Sequence, residues 1–482
     1  MQFNSYEFIL LLFPMTVILY FLTNKIKPVL GKIVLILASI VFYSLGRWEM
    51  LIFLAVSMAV NFLFACLLKR FCFKSRFILV IPIVINVGFL LWFKYLNFVI
   101  SNVNMFFGSS FPLKNMILPL GISFYTFQQI AYIVSVGRVK IDKVSLLDYL
   151  VYILFFPKLV MGPIVDPVDF IAQINDDSRK TPSVTNLAIG AKIFSLGLMK
   201  KVMLADTFAR GANWIYDNLP SATAADCILL IIFYTFEIYF DFSGYSDMAV
   251  GVSSMINIDL PMNFDSPYKA VSIRDFWKRW HISLTKFLTK YIYIPLGGSR
   301  KGTAFTYINT MIVFLISGLW HGANWTFILW GLLHGLLSCF DRTFEKAEDK
   351  IFKPIRWLFT MMWVSVLWLL FSAESVTQWL MILKRAVSIR SLSISDGLID
   401  TFKIVERTLI YDALHLAPLS NSIRGFIMLV FMLIAAVVCL IPQNNFRNKE
   451  KFGVFSMIGA SVCFVWGVLC LGSESVFVYF GF

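Results

Sequence analysis

Long apolar runs with almost no charge are the feature that most constrains how this chain can fold. Residues 8–22, 33–45, 51–68, 77–92, 228–239, 310–320 and 425–441 are of this kind, and about 20 apolar residues suffice to cross a bilayer as a helix. The chain is 59% hydrophobic and only 15% charged, against about 25% charged in an ordinary soluble domain. It therefore reads as an all-α integral membrane protein. Allowing for shorter and interrupted segments, the runs predict roughly ten to thirteen spans. The first run reads as a retained anchor, because no basic stretch precedes it and no small-residue cleavage site follows.

The formal charge of +14 sits in short loops between the apolar runs. That placement fits the positive-inside rule better than a nucleic-acid surface, so no nucleic-acid partner is expected. Lys25, Lys27 and Lys32 lie between the first and second runs, Arg47 is offset by Glu49, and Lys69, Arg70, Lys74 and Arg76 follow the third. This alternation predicts an N-terminus outside and those basic loops in the cytoplasm. The seven cysteines are scattered, six within or beside apolar runs as packing residues and Cys72 in a basic loop. No CxxC pair points to zinc or redox work, and no metal site is expected.

No internal repeat or long polar linker stands out, so residues 1–482 read as one membrane domain with a motif-bearing core at about 115–345. Three places break the rhythm of plain spans: 118–138, 155–170 and 236–325. In the last of these, residues 263–268 read as a loop, and Ser272-Ile-Arg-Asp275 matches the capping box that starts a helix. Ile273, Trp277, Trp280, Leu284, Phe287, Leu288 and Tyr291 then recur at helical spacing, with Lys278, Arg279, Lys286 and Lys290 mostly off that face. The pattern predicts a short amphipathic helix along the membrane interface. His281 falls on the edge of its apolar stripe, facing either protein or headgroups.

Only four histidines are available as a general base: His281, His321, His334 and His415. His321 lies in Gly318-Leu-Trp-His-Gly-Ala-Asn-Trp325, between two apolar runs, where Gly322 and Asn324 let the backbone bend. A titratable group at membrane depth is costly and points to a reacting site, and apolar tryptophan surroundings favour the neutral imidazole that accepts a proton. The bland reading, a histidine bonded to a carbonyl where two helices meet, has even weight on local sequence. His334, inside an apolar helix, is assigned to packing, His415 lies in a loop-like 413–418 stretch, and neither is given a catalytic role. Glu237, Asp241 and Asp247 crowd one segment, and their expected partners are the arginines of the interfacial helix. No GxSxG, HExxH, Walker or GxGxxG signature is present, which leaves chemistry by base and positioning.

Six motifs stand in order: Leu118-Pro-Leu-Gly-Ile-Ser-Phe-Tyr-Thr-Phe127; Phe155-Phe-Pro157 with Gly162-Pro-Ile164; Asp241-Phe-Ser-Gly-Tyr-Ser-Asp247; Asp275-Phe-Trp-Lys-Arg-Trp-His-Ile-Ser-Leu284; Tyr293-Ile-Pro-Leu-Gly-Gly298; and Leu319-Trp-His-Gly-Ala-Asn-Trp325. With them the chain resembles the membrane-bound O-acyltransferase family, in the branch that includes the membrane subunit of bacterial alginate O-acetylation. The resemblance implies a multi-pass enzyme of the bacterial cytoplasmic (inner) membrane, built as a ring or funnel of helices with re-entrant segments. It implies transfer of an acyl group, acetyl before others, from a cytoplasmic thioester to hydroxyls of an extracytoplasmic polysaccharide. The donor would be acetyl-coenzyme A or an acyl carrier, with no bound cofactor. His321 is implied as the catalytic base and His281 as a second residue of the same site, with Trp320, Asn324, Trp325, Trp280 and Asp241 as substrate-binding side chains. An extracytoplasmic partner of the SGNH-hydrolase kind is implied as the protein that modifies the polymer. Ser135 and Gly137 stand where the branch usually shows Asp and Tyr, Asp166 replaces an Arg and Lys290 an Asp, which leaves the acceptor open. Two rivals remain: D-alanyl transfer to teichoic acid, and a transporter of an acylated intermediate or a glycan without chemistry.

Overall fold

The computed structural model describes residues 1–45, 48–70, 76–141, 143–348, 350–388, 392–402, 421–442, 444–471 and 477. Arg47, Cys72, Lys74 and His415 lie outside the described residues. Among the described residues every regular element is helical and no strand occurs. Hydrocarbon offers no partner to backbone N–H and C=O groups, and a helix satisfies them within one segment. Six helices among the described residues are long and apolar enough to cross a membrane: Glu7–Ile26, Glu49–Arg70, Ile78–Phe107, Ala224–Met255, Thr303–His321 and Lys353–Ser372. Pro28–Ser44, Gly425–Leu440 and Val454–Leu469 are apolar but shorter. Together these make nine apolar helices among the described residues, against the roughly ten to thirteen spans expected when shorter and interrupted segments are counted. Residues 118–138 yield the helix Ile122–Gly137, and residues 155–170 yield Phe156–Leu159 and the start of Pro167–Asn175.

The chain forms two compact units. The first comprises Met1–Leu196, Tyr245–Met262 and Lys449–Ser461; the second comprises Gly197–Gly244, Asn263–Asn448 and Val462–Phe482. Within the first, every residue from Phe124 to Val136 is buried, so the polar ones need internal partners. Gln129 Oε1 accepts from Asn61 Nδ2 at 2.5 Å and from Ser57 Oγ at 2.9 Å. Gln128 accepts from the fully buried Lys158, which also donates to the Tyr152 carbonyl and lies over the Tyr152 ring. Gly121 enters this helix at φ 73°, and a Cβ there would come within 2.9 Å of the Leu159 carbonyl oxygen. Conformation and close approach both call for glycine at that position.

In the second unit, Thr223 and Asp226 cap each other at the start of the long helix Ala224–Met255. Asp226 N donates to Thr223 Oγ1 at 3.1 Å, and Thr223 N donates to Asp226 Oδ2 at 3.0 Å. Further along, Asp241 pairs with Lys201 at 2.7 Å, and Lys201 also reaches Asp206 at 2.9 Å, all three buried. This corrects the expected pairing with the arginines of the 273–291 segment. Arg274 instead meets Glu345 at 2.9 Å and Arg279 meets Asp275 at 2.8 Å, both at the half-exposed edge. A buried carboxylate needs a buried cation, and Lys201 supplies it from within the unit.

Thr303–His321 and Trp325–Glu348 form an antiparallel hairpin whose backbones meet at glycine. A Cβ on Gly318 would lie 2.3 Å from the Phe327 carbonyl oxygen, and one on Gly331 would lie 2.5 Å from that of Phe314. Small residues of this kind let apolar helices approach closely enough to pack by dispersion. Gly331→Val is expected to cost at least about 1–3 kcal/mol through overpacking, read as a lower thermal unfolding midpoint of the detergent-purified protein. Gly459→Ala, where a Cβ meets nothing within 4 Å, serves as the control that leaves the midpoint in place.

Candidate active site

His321 is the last residue of the helix Thr303–His321, and Gly322 leaves the helix in extended conformation. A Cβ on Gly322 would fall 2.1 Å from the Phe327 ring, so the chain turns there over an aromatic side chain that glycine alone accommodates without a shift. The turn delivers His321 into a buried aromatic nest. Its ring lies 4.8 Å from Trp320, 5.2 Å from Trp330 and 4.9 Å from Phe371, centroid to centroid, and the residue is only 4% exposed.

The single amphipathic helix expected over 273–291 is broken. The capping box is present, with Asp275 N donating to Ser272 Oγ at 3.1 Å and Val271 N to Asp275 Oδ2 at 3.3 Å, but the first helix ends at Arg279. Trp280 is extended and His281 is left-handed at φ 44° and ψ 52°, before a second helix Ile282–Leu288 and a π-helical turn Thr289–Tyr293. The apolar stripe is buried against protein: Ile273, Trp277, Trp280, Leu284, Phe287 and Leu288 all belong to the core. Placing residues at 100° per step fails for His281 because the helix stops just before it. The histidine is fully buried and faces protein.

A non-glycine residue in the left-handed region costs about 1–3 kcal/mol and persists only where its surroundings over-determine it. Here the loop before the helix does so. Ile282 N donates to the Asn263 carbonyl at 2.9 Å and Asp265 N to the Arg279 carbonyl at 2.9 Å. The Asn263 side chain adds a clamp: its Oδ1 accepts from Ser283 N at 3.2 Å and Ser283 Oγ at 2.8 Å, and lies 3.1 Å from His281 Nδ1. Since an amide oxygen only accepts, this contact puts the His281 proton on Nδ1 and makes Nε2 the acceptor nitrogen. Burial pushes the His281 pKa down to about 3, which keeps the ring neutral.

Trp320 links the two histidines, its ring lying 4.8 Å from His321 and 6.0 Å from His281. The other expected site residues have different places. Trp280 is fully buried against Trp368 at 4.6 Å and Phe264 at 4.9 Å. Asn324 donates to the Glu374 carbonyl at 2.9 Å and accepts from Thr326 N at 3.2 Å, capping the helix that follows. Trp325 is exposed at the start of that helix, and Asp241 sits in the Lys201 network. Sequence reasoning missed Asn263, Trp330, Phe371 and Trp368, which gather round the histidines only through tertiary packing. His334 is packed, as expected, and its Nδ1 accepts from Trp277 Nε1 at 3.2 Å. It also touches Trp330 at 4.8 Å, which places it one ring behind His321. The indole N–H groups of Trp330 and Trp368 are buried with no hydrogen-bond partner among the described residues, a state that suits donors to a developing anion. Among the described residues no three His, Cys, Asp or Glu side chains gather as a metal site.

Residues 125–382 match the membrane-bound O-acyltransferase family. The chain is 34% identical to the peptidoglycan O-acetyltransferase of Helicobacter pylori, with all of this chain and 97% of the relative covered. It is 36% identical to the probable alginate O-acetylase AlgI of Pseudomonas aeruginosa over 78% of this chain and 73% of the relative. To the teichoic acid D-alanyltransferase of Bacillus subtilis it is 31% identical, over 53% of this chain and 66% of the relative.

Asn263→Ala removes the acceptor shared by Ser283 and His281, and each buried donor left unmade costs about 1–3 kcal/mol. A lower thermal unfolding midpoint is expected, and an unchanged one rejects the clamp. In histidine-selective NMR of the labelled protein, His281 should show no protonation step between about pH 5 and 8, the range in which an ordinary imidazole titrates.

Proposed function

The chain belongs to the membrane-bound O-acyltransferase family, and from that premise we propose that it carries an acetyl group from a cytoplasmic thioester to the outside of a bacterial cytoplasmic membrane, for O-acetylation of an envelope glycan, with His321 as general base. It is an acyltransferase and a multi-pass membrane protein; the direction, the donor and the base belong to the proposal. The observation that carries the assignment of the base is the meeting of His321 and His281 on the one indole of Trp320. One histidine arrives there by a helix end and the other by a backbone break.

In this reading neutral His321 takes the proton of the acceptor hydroxyl as the oxygen attacks the thioester carbonyl. The carbon–oxygen bond forms, the carbon–sulfur bond breaks, and the proton passes to the departing thiolate, so ester and thiol leave with no net proton. Base catalysis of this kind is typically worth about 10²–10⁴ in rate, and donors to the oxyanion about 10²–10³ each. Trp330, whose ring lies 5.2 Å from that of His321 and whose N–H no described residue engages, is the donor assigned in this reading, with Trp368 stacked behind it. His281 holds its neighbours in place and lines the site, with Trp320 between.

Peptidoglycan stands ahead of alginate as acceptor because the Helicobacter relative aligns along the whole chain, whereas the alginate relative covers 78% of it. The lower coverage of the D-alanyl relative, 53% of this chain, supports taking D-alanine as the second acyl group. Acetyl-coenzyme A or an acyl carrier is the donor, and an SGNH-type enzyme outside the membrane is the partner that receives the acetyl group before the glycan does.

The test is ester-bound acetate released by mild alkali from the cell-envelope glycan of three strains: intact, deleted for the gene, and carrying His321→Ala. Loss of acetate to the same level in the deletion and in His321→Ala, with normal protein in the membrane, is the expected result. Acetate retained in the deletion removes acetyl transfer and moves the assay to D-alanine, and acetate retained in His321→Ala alone removes His321 as base.

A further inference from the structure

Next to the aromatic nest, the second unit holds a cavity of about 270 Å³ between the short helices Ile273–Arg279 and Ile282–Leu288 on one side and the hairpin Thr303–His321 and Trp325–Glu348 on the other. Its walls include Leu284, Leu288, Val313 and Phe314, while Lys278 and Arg342 line it with exposed side chains. Neither cation forms an ion pair among the described residues, in contrast to Arg274 beside them, which meets Glu345. We propose that this cavity binds one anionic phospholipid of the surrounding bilayer, its phosphate between Lys278 and Arg342 and an acyl chain in the apolar slot.

Three features choose a lipid over a water-soluble anion. Trp325–Glu348 presents exposed Leu332, Leu336, Phe340 and Phe344 and becomes charged at Arg342, Glu345 and Lys346. The hydrocarbon therefore gives way to headgroups at the level of the two cations, where long basic side chains reach phosphate. Ser338 lines the cavity, is 6% exposed, and its hydroxyl has no hydrogen-bond partner among the described residues. It precedes Arg342 by one turn, about 6 Å along the helix, which matches the depth of a glycerol ester below the phosphate of the same molecule. A free phosphate would satisfy the cations and leave the apolar walls against water, whereas a lipid chain covers them. The slot also reaches Trp277, which donates to His334, so the chain packs against the support of the candidate site.

The full-length protein, purified in detergent and stripped of lipid, is titrated with dioleoyl-phosphatidylglycerol or dioleoyl-phosphatidylcholine, and retained lipid is counted by native mass spectrometry. One phosphatidylglycerol is expected to be held in preference to phosphatidylcholine. Lys278→Ala with Arg342→Ala is expected to weaken its retention about 30-fold, at about fivefold for each basic residue at a membrane surface. Single Lys278→Gln and Arg342→Gln variants carry the same test should the double variant not fold, and Val313→Phe, which fills the slot, should weaken both lipids. Equal retention of the two lipids, retention unchanged in the charge variants, or one-for-one displacement of phosphatidylglycerol by coenzyme A overturns the proposal, the last by giving the cavity to a soluble phosphate ligand. The readout is binding alone, so its failure leaves the acetyl-transfer reading standing.

Discussion

A chain that buries this much of itself among apolar side chains has to supply partners for the charged groups it takes inside, and that requirement runs through both units. Lys158, fully buried, is held by an amide oxygen, a carbonyl and the face of a tyrosine. Lys201 is held by two carboxylates, and Gln129 Oε1 accepts from both Asn61 and Ser57. An uncompensated buried charge costs several kcal/mol even after relaxation, so these arrangements determine which helices can sit together before any finer packing matters. The glycine contacts of the hairpin act at the next level, where backbones approach and dispersion is gained.

The candidate site uses the same economy of partners for a different end. His281 lies at a point where helical geometry is given up, and the lost regularity is compensated by backbone bonds to the loop at Asn263 and by the Asn263 side chain. His321 lies at a point where a helix simply ends, with Phe327 beneath the turn. Both rings are buried among aromatic side chains. Such close packing suits acyl transfer, in which the base and the donors to the oxyanion must stand ready before charge develops. A dry aromatic wall also strengthens each electrostatic contact made inside it.

Much of this was legible in the order of residues. Apolar runs with few charges are sufficient for helices in a bilayer, because the backbone has no other way to satisfy itself there, and the Ser272 capping box follows from local bonding alone. The Trp-His-Gly-Ala-Asn segment marked His321 and the turn after it, since the physics of a helix end is local. His281 stands out in the sequence, but periodicity leaves open whether it faces protein or headgroups: it assumes that the helix continues, and whether it does depends on the loop at Asn263, 18 residues earlier.

Tertiary structure decided what local patterns cannot carry. Lys201 rather than an arginine neutralises Asp241 because pairing across 40 residues depends on which helix faces meet. Trp330 and Phe371 flank His321, and Trp368 flanks His334, because two separate helices, Trp325–Glu348 and Lys353–Ser372, bring them there. Trp320 became the shared contact of two histidines only when a helix end and a backbone break were folded against one another. By itself the sequence determined an all-helical membrane protein and the histidine at the hairpin turn, since bilayer solvation and helix termination act over a few residues. The partners of the buried charges and the shape of the aromatic nest came from the tertiary structure, since burial and close packing are properties of residues that meet in space.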